Sequence, residues 1–334
     1  MPGDGLGDRP QARTLVLRRA NTEIDVKATY GVGILGLGVI GRIIGEEFMA
    51  SPRFDVVAAF DPAVASDPTY PMRSSAIEVA GDPRVDCLYV ATPPGLHAEG
   101  VHLAIATRKP VLCEKPLAPT PEEADQLAAA VREAGIDAVV NFGFAPTRIA
   151  SALAAALNER RFGRPMSARL VVRIREWPQP WQAAAGTWLT SPEQGGFTRE
   201  VLTHFVALAD RLFGPGVVER SEVVRGANGL ETRTLASIAY ERLVLTIDAA
   251  IDPDLEHEDN LTNRFTVDCE RGLMGIEDWD LAINLDIDPE TPEGVVPAMA
   301  RLLDGEPTDL ADLDAGARVV HLIERILAAP TYSS

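Results

Sequence analysis

The chain has 334 residues, 46% of them hydrophobic and 24% charged, with 31 Lys and Arg against 49 Asp and Glu for a net charge of −18. At roughly 100–200 residues per domain the length predicts two domains, each able to bury a core without staples. The acidic balance argues against nucleic-acid and acidic-membrane partners, the three scattered cysteines Cys87, Cys113 and Cys269 argue against a disulfide framework, and no apolar run reaches the roughly 18 residues of a membrane span. The first 20 residues contain arginines but no continuous apolar segment, so they do not read as a signal peptide and the expected compartment is the cytoplasm.

Residues 1–28 read as an N-terminal extension, in which 14–17 is either an extra strand or part of the tail. From residue 30 the chain alternates. GVGILGLGVIGRIIGEEFMA reads as a buried strand, a glycine turn and a helix. RFDVVAAFDP is a second strand ending at Asp61, VDCLYVATPP a third, PVLCEKPLA a fourth and DAVVNFGFAP a fifth, with helices between the later ones. Continuously apolar strands alternating with helices predict a doubly wound parallel sheet over 29–149. From about 150 the pattern changes. RPMSARLVVRIREW, VERSEVVRG, RTLASIAYERLVLTIDAAI and RFTVDCERGLMGIEDW read as long, half-exposed strands with short turns. They predict a large, mostly antiparallel open sheet in an α+β domain over 150–334. FTREVLTHFVALADRLFG, PAMARLLDG and LDAGARVVHLIERILAA read as helices.

Gly36, Gly38 and Gly41 fit the spacing G-x-G-x-x-G, between a strand and a helix. The first glycine permits a tight turn, the second lets backbone approach a pyrophosphate, and the third lets helix pack on strand. Val39 and Ile40 complete the turn, whose free N–H groups and helix dipole suit an anion. Asp61 lies 20 positions past the last glycine, where a carboxylate accepts ribose hydroxyls and repels a 2′-phosphate. This favours NAD, with NADP as the alternative.

Three further segments carry a resemblance. Ala91-Thr92-Pro93 is followed by His97 and Glu99, then Glu114-Lys115-Pro116, then Gly195-Gly196 with Glu200 and His204. In this order they make the chain similar to the glucose–fructose oxidoreductase / inositol dehydrogenase (Gfo/Idh/MocA) family, from about residue 30 to about 329. Glu200 stands where that family usually has aspartate. Gly143-Phe144-Ala145-Pro146 lacks the arginine of the frequent R-F-x-P, and Gln182 follows Trp181 where W-R is common. All three departures fall on the substrate side.

The resemblance implies an NAD(P)-dependent Rossmann oxidoreductase moving a hydride between nicotinamide and an alcohol or ketone carbon of a sugar, cyclitol or related polyol. The alternatives are a reductase of a non-sugar ketone or imine, and a non-catalytic dinucleotide-binding sensor of the same fold. It also implies a homodimer or homotetramer, and cofactor contacts from Thr92, Pro93, His97, Glu114 and Lys115. His97 reads equally well as a packing residue. Asn141, Trp181 and Arg199 are the candidate substrate residues. Trp177 and Trp181 suit either a sugar face or a core, and Arg173, Arg175 and Arg199 leave room for an anionic substrate.

Alcohol oxidation needs a hydride acceptor and a proton acceptor. The cofactor supplies the first, and an imidazole titrating near neutrality suits the second. The expected catalytic set is therefore His204 as proton donor or acceptor, Lys115 on the reacting oxygen, and Glu200, four residues before His204 on one helix face, holding a substrate hydroxyl or orienting the ring. No metal-ligand set is expected. His257, in the acidic segment 252–259, reads as part of a solvated loop.

Overall fold

The computed structural model describes residues 26–289 and 294–329 and the backbone of 331–333; the expected strand at 14–17 lies outside them. Chain order in the first half is β1 (Tyr30–Leu35), α1 (Val39–Ala50), β2 (Phe54–Phe60), α2 (Ala76–Gly81), β3 (Cys87–Val90), α3 (His97–Thr107), β4 (Val111–Glu114), α4 (Pro121–Ala134), β5 (Ala138–Asn141) and α5 (Arg148–Asn158). The second half adds β6 (Pro165–Ile174), α6 (Thr203–Phe213), β7 (Val217–Arg225), β8 (Glu231–Ala239), β9 (Val244–Ile251), β10 (Leu261–Cys269), β11 (Gly272–Glu277) and β12 (Leu281–Ile283). The chain then runs through α7 (Val295–Leu303), β13 (Ala311–Asp312), α8 (Leu313–Leu327) and β14 (Thr331–Ser333).

The apolar alternation produces the expected parallel sheet, in the order β13-β5-β4-β3-β1-β2. Beyond β2, Met72 makes a one-residue parallel bridge to Ala59, a vestigial outer strand in a segment that carries no strand signal. With it the sheet has the doubly wound order whose crevice opens at the carboxyl ends of β1 and β3, where the direction of winding reverses. β1, β3 and β4 are buried along their whole length, as a sheet covered on both faces requires. Local signals set the helix ends. Thr120 Oγ1 accepts from the Glu123 amide at 3.2 Å ahead of Pro121. Gly135 closes the same helix in the left-handed conformation at φ 65°, as a glycine C-cap does.

The second sheet has eight strands in the order β12-β11-β10-β6-β9-β8-β7-β14. It is mostly antiparallel, but β6 pairs with β9 in parallel. The turn-linked run β7-β8-β9 returns to lie beside β6 only after the α6 crossover, so these two strands point the same way. Ala168, Leu170, Val172 and Ile174 of β6 face inward and are buried. They share one core cluster with Phe205 of α6 and Val319 and Ile323 of α8.

The end of the chain does not stay with this sheet. Val295, Met299 and Leu303 of α7 join the cluster formed by Tyr30, Val32, Phe48 and Val139 of the first half. β13 pairs antiparallel with β5 through Ala311–Val140 and Asp312–Val139. Part of the stretch expected to belong wholly to the second domain thus completes the first sheet.

Candidate active site

The glycine turn is open where a ligand would approach and closed elsewhere. Gly36 has φ 97°, and a Cβ there would lie 2.6 Å from the Ala91 carbonyl oxygen. A Cβ on Gly41 would lie 2.2 Å from the Gly36 oxygen, whereas one on Gly38 would meet nothing within 4 Å. Gly38 is also the N-cap of α1, and no side chain caps that helix. Its first-turn N–H groups, beside the half-buried Val39 and Ile40, are therefore free for an anion. Thr92 Oγ1, on the loop after β3, is buried without a partner. An uncapped helix start, a side-chain-free approach and an orphaned hydroxyl on the facing loop fit a dinucleotide. Asp61 stands at the end of β2, but its carboxylate is already used by backbone. Oδ2 accepts from the Leu37 amide and Oδ1 from the Ala63 amide, both at 2.8 Å. It braces the glycine turn and keeps lone pairs for ribose hydroxyls.

Lys115 follows the last residue of β4. Its Nζ donates to Glu200 Oε2 at 2.5 Å and to the Glu200 carbonyl at 3.1 Å. Glu200 sits in a π-turn, Thr198–Leu202, that leads into α6; such wide turns recur at functional sites. The turn is anchored by Glu231, buried beneath it, whose Oε1 accepts from the Thr198 amide at 2.7 Å. Glu200 Oε1 is buried with no partner. His204 lies one turn on. Its Nδ1 accepts from the Gly143 amide at 2.9 Å, and burial, then the Lys115 ammonium, holds its pKa well below the usual imidazole value. The ring is therefore neutral, with its proton on Nε2. The imidazole is oriented by Gly143, and Glu200 is partnered with Lys115 instead of His204 or open space.

Several other expected residues occupy different posts. His97 is buried, its ring nitrogens 2.9 Å from the Pro116 carbonyl and 2.8 Å from the Thr92 carbonyl. It ties the Thr92 loop to the Lys115 loop and presents nothing to the glycine turn. Burial pushes its pKa down to about 4 against the pull of those carbonyls. Glu114 is buried and its pKa is raised by burial. Its Oε1 accepts from Tyr89 Oη at 2.7 Å and from Asn141 Nδ2 at 2.8 Å, which commits Asn141 to the sheet end. Pro93 stays exposed on the β3 loop.

Arg199 is engaged on every side. Nε and Nη2 form a fork on Glu324 at 2.6 and 2.9 Å, while Nη1 donates to the Pro192 and Gly195 carbonyls. Arg173 pairs with Asp248, and Arg175 binds the Leu255 carbonyl. Arg173 and Arg199 are thus paired with carboxylates, whereas, among the described residues, Arg175 is held by a carbonyl alone. Trp181 is 53% exposed on the loop Pro180–Ala185, which packs against α1, and its indole N–H donates to Gln179 Oε1 at 2.7 Å. Gln182 Oε1 accepts from the Gln179 amide, so the residue in the usual arginine position serves as a local cap. Among the described residues no group of three or more His, Cys, Asp or Glu is placed to hold a metal, and no helix is long and apolar enough to cross a membrane.

The sequence did not single out Trp279. Its ring lies 5.8 Å from that of His204, with the planes at 82°. The signal available was only a tryptophan just past a strand, without its long-range partners.

Residues 30–142 match the model of the oxidoreductase family with the NAD-binding Rossmann fold. The 1,5-anhydro-D-fructose reductase of Ensifer adhaerens is 40% identical over 125 residues, 37% of this chain and 36% of that protein. The levoglucosan dehydrogenase of Pseudarthrobacter phenanthrenivorans is 27% identical over 199 residues, 55% of this chain and 51% of that one. The chain thus spans between a third and a half of the length of these curated relatives. In fold it is similar to the WlbA dehydrogenase of Bordetella pertussis, solved with NADH and UDP-GlcNAcA. That match has a TM-score of 0.72 and 21% identity, covering 89% of this chain and 96% of that one.

Proposed function

We propose that the chain, whose residues 30–142 match the NAD-binding Rossmann model of the Gfo/Idh/MocA oxidoreductase family, is an NAD-dependent oxidoreductase acting on an alcohol or ketone carbon of a sugar, cyclitol or related polyol. The observation that carries this reading is the meeting of Lys115, Glu200 and the neutral His204 at the ends of β4 and β5, in the parallel sheet that also carries the open glycine turn. The relatives named for anhydrofructose and levoglucosan support the polyol class.

When bound at the glycine turn, the nicotinamide cofactor supplies or accepts the hydride. Gly38, the start of α1 and Thr92 would hold it, with Asp61 toward the ribose. The chain's own groups manage the substrate oxygen. In reduction Lys115 gives its Nζ proton to the carbonyl oxygen as that oxygen gains an electron pair. In oxidation the neutral amine takes the hydroxyl proton. Glu200 Oε2 fixes Lys115, and the unpartnered Oε1 accepts a neighbouring substrate hydroxyl. His204 donates a hydrogen bond from Nε2 to the reacting oxygen, as a neutral electrophile. This exchanges the roles that residue type alone suggests, because an imidazole whose Nδ1 lone pair is taken by Gly143 has none left for a substrate proton.

The test is a pair of variants on protein shown to bind NAD. Lys115→Met should lower kcat by about 10³-fold, within the range for a lost general acid–base group, and leave NAD affinity unchanged. His204→Asn, which keeps a donor, should retain more turnover than His204→Ala. Near-normal turnover of Lys115→Met overturns the assignment.

A further inference from the structure

Trp279 lies beside His204 and has no part in the chemistry above. Its backbone is unusual. Asp278 and Trp279 adopt left-handed φ values of 43° and 72° in succession, a conformation bulky L residues rarely take. The turn is braced from β10. Thr262 Oγ1 and the Asn263 amide donate to Asp278 Oδ1 at 2.6 and 3.1 Å. The Asp278 amide donates to the Asn263 carbonyl at 2.8 Å, and the Trp279 amide to Asn263 Oδ1 at 3.1 Å. Four hydrogen bonds therefore hold a backbone that would otherwise relax, and strain held in this way concentrates at functional sites.

The bracing delivers the indole to one place. It stacks on Phe144 at 5.5 Å and 21° and leans on Phe205 at 5.3 Å. Phe144 and Phe205 are buried, but Trp279 keeps 37% of its surface exposed. Its indole N–H has no partner among the described residues. A rigid ring with open apolar surface and an unpaired donor matches a ligand that is apolar on one side and hydroxylated at its rim. A cyclic polyol has that character: axial C–H groups make an apolar face, and hydroxyls ring the edge. An acyclic polyol offers no fixed face.

We infer that Trp279 is a substrate-contact residue that selects ring-shaped over open-chain polyols and packs edge-on against the His204 ring. The inference rests on the polyol reading above. It assigns the specificity wall to the turn after β11, and not to the tryptophans of the 177–181 loop.

The experiment uses the NAD-saturated full chain, with myo-inositol and scyllo-inositol as ring probes and D-sorbitol as the open-chain probe. Trp279→Ala should raise KM for the ring probe that turns over by about tenfold, the scale of one aromatic contact. It should lower kcat by less and reduce the preference over sorbitol, with NAD affinity unchanged. Trp279→Phe keeps the stack on Phe144 without the N–H and should move KM in the same direction by less; it answers the question if the alanine variant does not fold. Quenching of tryptophan fluorescence by the ring probe should disappear in both. An active wild type whose ring preference survives these substitutions overturns the inference alone. A wild type that turns over neither ring probe overturns the polyol reading and the inference with it.

Discussion

The two sides of the crevice are built from different material. The cofactor side is made of backbone: Gly36 and Gly41, which cannot carry a Cβ, the open approach at Gly38, an uncapped helix start and a strand-end carboxylate bonded to main-chain amides. The substrate side is made of side chains that reach across the molecule, Lys115 to Glu200 over 85 positions and Arg199 to Glu324 over 125. A backbone site is written into a short stretch of sequence and tolerates few changes. A side-chain site depends on which distant groups meet, as the Glu200 carboxylate meets Lys115 from a different half of the chain.

Three substitutions probe that contrast, beginning with the largest effect. Gly41→Ala should weaken NAD binding by at least about a hundredfold, close to 3 kcal/mol, because its Cβ would lie 2.2 Å from a carbonyl oxygen. Titration calorimetry checks this, and near-normal affinity would break the claim that backbone shape defines this side. Arg199→Ala removes one partner of a largely buried fork and should cost about 3 kcal/mol of stability in urea denaturation. It should leave KM for any polyol nearly unchanged, and a large change confined to KM would return Arg199 to the substrate. His97→Gln concerns the seam between the sides. The folded ring has its pKa depressed by burial to about 4 from the ordinary imidazole value of 6.5. The unfolded chain therefore binds a proton that the folded protein refuses, and stability falls as pH drops through that window. The wild type should lose up to about 1 kcal/mol per pH unit more than the glutamine variant between those values. Parallel pH–stability curves would show that the ring is charged in the folded state.

The same contrast explains what was legible beforehand. Gly36, Gly38, Gly41 and Asp61 announce themselves because turn, helix start and strand end are local events. Lys115, Glu200 and His204 were found as a set, but their pairing was not, since the imidazole anchor is the amide of Gly143 on another strand end. Backbone donors carry no residue signature. Arg199 and Asn141 have long-range partners, Glu324 and Glu114, that residue type alone does not disclose. The strained pair Asp278–Trp279 was invisible for a related reason. Its conformation is imposed by Thr262 and Asn263 of a neighbouring strand, against the local preference.

The return of α7 and β13 to the first sheet sets a timetable for biosynthesis. A ribosome makes β1 to β5 first, yet the apolar surface around Tyr30, Val32 and Phe48 and the free edge of β5 are covered only by residues 295–312. Arg53 and Tyr30 likewise wait for Asp304, which each contacts at 2.8 Å. The nascent cofactor-binding half must therefore hold an exposed apolar flank and an unpaired strand through the synthesis of some 150 further residues, the circumstance in which chaperones are recruited. A release of the chain before residue 295 should leave that half aggregation-prone, although every residue of its nucleotide fingerprint is present.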